Sequence, residues 1–248
     1  MTYVLVHGGG STARFWDRLL PHLDARHAPA VAVDLPGRHG KPADLATLSV
    51  DDEVASVVED LARLAPEGPL VVVAHSSGGL VVPGVVAATG GRVAHIVLIA
   101  ALVPEEGGCG IDCMKPHHRD GLRASFEQAQ REGRAIVLPG VPEDPESFRR
   151  TYGGDPLEND TLAFAVDPVR CVPDTVYHYF QPVYWSLAAQ VPVTYVVNER
   201  DRPIPPETQE AMATRVPRLV ETVRLDCGHL SPVTHPDRIA GILGAVHP

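Results

Sequence analysis

Lysine is nearly absent from this 248-residue chain: Lys41 and Lys115 are the only two. Acidic residues outnumber basic ones, 31 to 21, for a formal net charge of −10. A surface of that sign repels phosphate backbones, so nucleic acid is not an expected partner. Long hydrophobic runs are missing too, and nothing is long enough to span a bilayer, so no membrane role is expected. The opening Met1-Thr2-Tyr3-Val4-Leu5-Val6-His7 lacks a basic segment followed by an apolar one. It reads as a strand from the start, which sets the expectation of a cytoplasmic protein. Cysteine is sparse. Cys109, Cys113, Cys171 and Cys227 lack paired zinc-ligand spacing, and free thiols are the default. Cys109 and Cys113 with the nearby His117 and His118 are the one grouping where a metal is conceivable, and no metal is expected.

What is present suits one globular domain carrying an insertion. Apolar residues make up 44% of the chain, enough for a sizeable core. Runs at 3–6, 30–33, 70–73, 96–100, 193–197 and 220–225 are mostly continuous Val, Ile, Leu and Ala. Continuous rather than alternating runs suit strands buried on both faces of a parallel sheet. Helical stretches alternate with them at 12–23, 50–64, 78–88, 206–214 and 236–246. Ser49, followed by Asp51, Asp52 and Glu53, marks an acidic helix start. Pro83 is anomalous: early in the 78–88 helix it would remove a backbone hydrogen bond, so that helix starts late or bends. The βαβ rhythm stops near residue 101 and resumes near 191. The expected division is therefore a core of residues 1–103 and 189–248, with residues 104–188 forming a helical cap.

Ala74-His75-Ser76-Ser77-Gly78 is the most informative stretch. It lies between the strand at 70–73 and the apolar start of a helix, which puts a serine at the apex of a sharp strand-to-helix turn. The bland alternative is a serine that merely caps the helix. A serine hydroxyl needs a base to become a nucleophile. His229, in Asp226-Cys227-Gly228-His229 after the last strand, is the candidate, with Gly228 providing the turn that aims the ring. His22, His27, His235 and His247 read as solvated. His75 sits inside the elbow, points away if Ser76 points up, and reads as structural. Asp201, on the loop after the strand at 193–197, is the candidate carboxylate to orient the imidazole. Glu199 rivals it, and Glu105 or Glu106 would serve if the acid followed the earlier strand. After the first strand, His7-Gly8-Gly9-Gly10 offers backbone N–H groups, and Gly9 and Ser77 are the candidate oxyanion donors. The Gly8-Gly9-Gly10 turn lacks the Gly-Lys-Ser/Thr ending of a phosphate loop and the dinucleotide spacing.

These motifs, with Trp16, Asp34-Leu35-Pro36-Gly37-Arg38-His39-Gly40 and Pro205, resemble the α/β-hydrolase superfamily, and within it the serine esterase and hydroxynitrile lyase group. The resemblance implies an α/β fold with a mostly parallel six-stranded sheet, helices on both faces, a helical cap and cofactor-free chemistry. The lyases carry a lysine after the catalytic histidine, where this chain has Leu230. They carry a threonine where it has Gly8. Both departures count against cyanohydrin cleavage. Ser76 in place of an elbow aspartate counts against haloalkane dehalogenase and epoxide hydrolase chemistry.

The expected activity is cleavage of a carboxylic ester, lactone or thioester of a small, largely apolar molecule through an acyl-enzyme. A non-hydrolytic biosynthetic step (C–C cleavage or cyclisation) and a slowly turning-over small-molecule receptor are the alternatives. Homodimerisation is an option. Tyr177, Tyr179, Phe180, Tyr184 and Trp185 are candidates for the substrate pocket, with the core of the cap as the equal alternative.

Overall fold

The structure is a computed structural model and describes residues 1–246. His247 lies outside the described residues. The strands are β1 (Thr2–Val6), β2 (Ala30–Val33), β3 (Leu70–His75), β4 (Val93–Ile99), β5 (Val137–Leu138), β6 (Asp174–Thr175), β7 (Val193–Asn198) and β8 (Leu219–Leu225). The helices are α1 (Leu20–Asp24), α2 (Val50–Leu64), α3 (Val82–Ala88), α4 (Pro116–Arg131), α5 (Pro145–Tyr152), α6 (Asn159–Ala165), α7 (Pro206–Ala213), α8 (Ser231–Thr234) and α9 (Pro236–Ala245).

Six strands form one sheet in the order β2-β1-β3-β4-β7-β8, and every neighbouring pair is parallel. The continuous Val/Ile runs follow from burial on both faces: all six residues of β3 and of β7 are buried. Alternate side chains divide between two cores, because strand side chains alternate. Val4, Val72 and Ala74 face a core completed by α2, α3 and α7. Leu5, Val71 and Val73 face one completed by α1, α8 and α9. β8 is an edge strand and departs from this pattern, with Val220 half exposed.

From β1 the chain moves outward to β2, then returns to β3 and continues the other way. The carboxyl ends of β1 and β3 are therefore the switch point of the sheet, where open α/β sheets bind ligands.

Local signals explain the helix boundaries. Ser49 accepts from Asp52 N–H while Asp52 returns a bond to Ser49, a capping box worth about 1 kcal/mol. The helix expected at 12–23 divides into a 3-10 turn at Ala13–Arg18 and α1, with Pro21 in the first turn of α1. Pro83 is resolved the same way. A 3-10 turn at Ser76–Leu80 carries the elbow, and α3 starts only at Val82, so Pro83 stands where no helical hydrogen bond is lost.

Between β4 and β7 the chain forms α4, α5 and α6, together with a two-stranded antiparallel ribbon, β5 with β6, that the residue pattern did not announce. Ile111, Tyr179, Val183 and Trp185 from this segment join the same apolar cluster as α3 and β4. Among the described residues no helix is long and apolar enough to cross a membrane.

Candidate active site

Ser76 stands just past β3 with φ +54°, a left-handed conformation that costs a non-glycine residue on the order of 1–3 kcal/mol. Two contacts hold it there. Leu102 N–H donates to the Ser76 carbonyl at 2.9 Å. On the other side Gly8 presses close: a Cβ there would lie 2.7 Å from Ser76 Cβ. A larger residue at position 8 would displace the serine.

His229 follows β8, and its Nε2 lies 3.2 Å from Ser76 Oγ. Its Nδ1 lies 2.6 Å from Oδ2 of Asp201, which follows β7 and is buried. The other carboxylate oxygen of Asp201 accepts Ile204 N–H at 2.8 Å. With an ionised Asp201 the network assigns the proton to Nδ1 and leaves the Nε2 lone pair facing the serine hydroxyl. The rival acids are engaged elsewhere. Glu199 pairs with Arg224, Glu105 with Arg215, and Glu106 with Ser186. Among the described residues none of the three bonds to His229.

His75 props the His229 loop from behind. Its Nε2–H donates to the His229 carbonyl at 2.9 Å, and Phe15 stacks on it with ring centroids 4.8 Å apart. Burial, and then the neighbouring His229, hold its pKa well below the usual histidine value, so it stays a neutral donor. Gly228 serves a different purpose from the one expected. It is not among the residues with positive φ. It is small because the segment between α5 and α6 presses on it: a Cβ there would lie 2.7 Å from Asp155 N and 3.0 Å from Gly154 Cα.

Gly9 N–H and Ser77 N–H face no protein acceptor among the described residues, whereas the neighbouring Gly10 N–H donates to Asp174 Oδ2 at 2.6 Å. A Cβ at Gly9 would meet the hydroxyls of Tyr179 at 2.7 Å and Ser77 at 3.2 Å, which places both beside this loop.

The same loop rests on buried charge. Arg38 Nη2 donates to Asp174 Oδ1 at 2.5 Å, with both side chains fully buried. Burial raises the Asp174 pKa, but the Arg38 guanidinium, His178 and the Gly10 N–H together outweigh it, and the net shift is below the usual carboxylate value. Alongside, His178 Nδ1 donates to Glu53 at 3.1 Å. Burial alone would lower the His178 pKa, but Glu53 and Asp174 together raise it overall. His7 is buried and faces Arg38, which together bring it down to about 4.

Ser76 and His229 open into a cavity of about 400 Å³ whose walls include Phe15, Phe148, Tyr152, Phe164 and Tyr179. Of the five aromatics expected at a pocket, the structure places only Tyr179 on this wall. Tyr177 and Phe180 pack on Phe126, Trp185 is buried in the core, and Tyr184 is half exposed on the surface. The wall is instead supplied by α5 and α6. Phe148 and Tyr152, four residues apart on α5, have ring centroids 4.3 Å apart, and that spacing was visible in the sequence. Arg170 also borders the cavity, held by Asp17 at 2.7 Å and lying over the Phe164 ring. The wall residue Cys171 has its thiol pKa raised by burial. No group of three or more His, Cys, Asp or Glu converges on a metal-sized site among the described residues.

A family model described as "Alpha/beta hydrolase family" matches residues 3–242. The chain belongs to the alpha/beta hydrolase family. It is 27% identical to a pimeloyl-[acyl-carrier protein] methyl ester esterase of Methylococcus capsulatus, over 97% of this chain and 92% of that protein. It is also 27% identical to lipase LipV of Mycobacterium tuberculosis, over 96% of this chain and 90% of the relative. Among solved structures, an extracellular alpha/beta-hydrolase from a Paenibacillus species superimposes with a TM-score of 0.77 at 22% identity. That match covers 98% of this chain and 97% of the other, a likeness of fold.

Proposed function

We propose that this member of the family is a serine hydrolase that cleaves a carboxylic ester of a small, largely apolar molecule through an acyl-enzyme. What supports this most directly is the relay from Asp201 through His229 to Ser76, at 2.6 and 3.2 Å, ending at an aromatic-walled cavity. Ser76 Oγ attacks the ester carbon while its proton passes to His229 Nε2. The carbonyl oxygen becomes an oxyanion held by Gly9 N–H and Ser77 N–H, each such donor supplying about 3 kcal/mol. The tetrahedral carbon then expels the alcohol, which takes the proton from His229. Water repeats the sequence: His229 removes its proton, the hydroxide oxygen joins the acyl carbon, and Ser76 leaves with the proton restored.

The cavity wall carries aromatic rings and a single cation already committed to Asp17, which favours apolar acyl or alkoxy groups over charged ones. The names of the relatives, a methyl ester esterase and a lipase, support the same bond class. The test is turnover of short-chain p-nitrophenyl esters in H₂¹⁸O. The proposal requires one solvent oxygen in the released acid and loss of turnover in Ser76→Ala. A product without solvent oxygen would assign the site to non-hydrolytic chemistry. Binding without turnover would assign it to reception.

A further inference from the structure

We infer that Asp155, a buried carboxylate from the insertion, is a positioning residue for the catalytic histidine, so that the insertion is part of the catalytic frame. The inference rests on the serine hydrolase reading above. Asp155 lies between α5 and α6 and is only 4% exposed. Its Oδ2 accepts Gly228 N–H at 2.8 Å, one residue before His229, and Thr234 Oγ–H at 2.8 Å from α8, just beyond it. Its Oδ1 accepts Arg200 Nη2 at 2.7 Å, one residue before Asp201. The carboxylate therefore grips the base loop on both sides of the histidine and also the acid loop. Arg200 N–H donates to the Cys227 carbonyl at 2.8 Å, which closes the two loops on each other.

The backbones meet as closely as the side chains. Gly154 Cα lies only 3.0 Å from where a Cβ on Gly228 would be, and a Cβ on Gly154 would run into the Arg200 carbonyl. Two facing glycines let the insertion touch the histidine loop main chain to main chain. None of these contacts reaches substrate: the cavity touches the flanking Phe148, Tyr152 and Phe164, and Asp155 is not on its wall. α5 and α6, which supply those rings, flank the segment that carries Asp155. The side chains that receive the substrate and the carboxylate that holds the base thus belong to one stretch of chain. An imidazole 3.2 Å from its serine tolerates little displacement, since errors of about 1 Å can cost on the order of 100-fold.

The experiment compares Asp155→Ala and Asp155→Asn with wild type on a p-nitrophenyl ester, alongside the downfield NMR resonance of the His229 Nδ1 proton. Asn is nearly isosteric and can still accept from Gly228 with its amide oxygen, but presents N–H groups to Arg200. The expected result is a kcat lowered roughly 30- to 100-fold in the Ala variant and roughly 3- to 10-fold in the Asn variant. KM should stay within about twofold, and the Nδ1 proton should shift or broaden in both. Ile239→Ala, a core truncation in α9, controls for lost stability alone. If Asp155→Ala does not fold, the Asn variant carries the test. Unchanged kcat and an unmoved Nδ1 proton would overturn the inference, as would losses no larger than those of the Ile239 control at equal loss of Tm. A wild-type protein that neither turns over esters nor reacts with a fluorophosphonate would instead overturn the hydrolase reading on which it stands.

Discussion

Replacing Asp201 by Asn removes one charge and leaves the shape intact, so its effect can be worked out atom by atom. In the native site one carboxylate oxygen accepts Ile204 N–H at 2.8 Å and the other accepts His229 Nδ1–H at 2.6 Å. An amide can keep only one of these bonds. If its oxygen stays on Ile204, its NH₂ faces Nδ1, which must then be an acceptor. The ring proton moves to Nε2 and confronts the serine hydroxyl at 3.2 Å with a donor, and no base remains. If the amide flips, the imidazole recovers the right tautomer but Ile204 N–H meets a donor in a buried site, at a cost of about 1–3 kcal/mol. The flipped form also lacks the charge that stabilises the imidazolium. In serine protease triads the same exchange costs about 10⁴-fold in kcat. The expectation here is a kcat for p-nitrophenyl butyrate lowered 10³- to 10⁴-fold, about 4 to 5.5 kcal/mol, with KM within a few-fold. A thermal melt close to wild type would show that the fold is intact. Activity within tenfold of wild type in the folded variant would refute the assignment of Asp201.

Two further predictions concern buried titratable groups near the Gly8-Gly9-Gly10 loop and Ser76. Arg38→Met leaves the Asp174 carboxylate buried without its cation, which should cost about 3–5 kcal/mol and lower the Tm by roughly 10 °C, while Arg38→Met with Asp174→Leu should recover part of the loss. Differential scanning calorimetry would show this, and an unchanged Tm in the single variant would contradict it. Stability should also peak near pH 6.5. Below 6.5 the unfolded chain protonates His7 and His75 while the native chain, whose His7 is held down to about 4, does not. Stability is therefore lost as pH falls from 6.5 towards 4, with His7 contributing up to about 3 kcal/mol. His178 has the opposite sign: its pKa is raised, so its contribution is complete below 6.5 and is lost as pH rises through its folded value. His7→Gln should flatten the acid arm of a Tm–pH curve and His178→Gln the alkaline arm. Arms that persist unchanged in both variants would place the linkage elsewhere.

Much of this architecture was readable because burial leaves a mark on composition. Strands covered on both faces become unbroken Val and Ile runs, as at β3 and β7, and the small residues flanking Ser76 follow from a turn that must pass close to β1. The residues read from the chain as nucleophile, base and acid were those the fold brings within hydrogen-bonding distance, because each follows a strand end. The stretch between β4 and β7 was opaque for a corresponding reason. Asp155 and Asp174 are acids in irregular stretches, indistinguishable by composition from solvated ones. Their partners lie far along the chain: Gly228 is 73 residues from Asp155, and Arg38 is 136 from Asp174. The pocket aromatics were misplaced because the crowded stretch from Tyr177 to Trp185 drew attention by density. Phe148, Tyr152 and Phe164, spread over two short helices, form the wall that density did not reveal.

Hydrolysis through an acyl-enzyme requires His229 to activate the hydroxyl of Ser76. The most direct test is reaction with a fluorophosphonate probe, followed by peptide mass spectrometry to locate the adduct. One equivalent bound at Ser76 is expected, with no labelling in Ser76→Ala and a rate reduced at least a thousandfold in His229→Ala. Labelling at another residue, or a His229→Ala protein that reacts as fast as wild type, would contradict it.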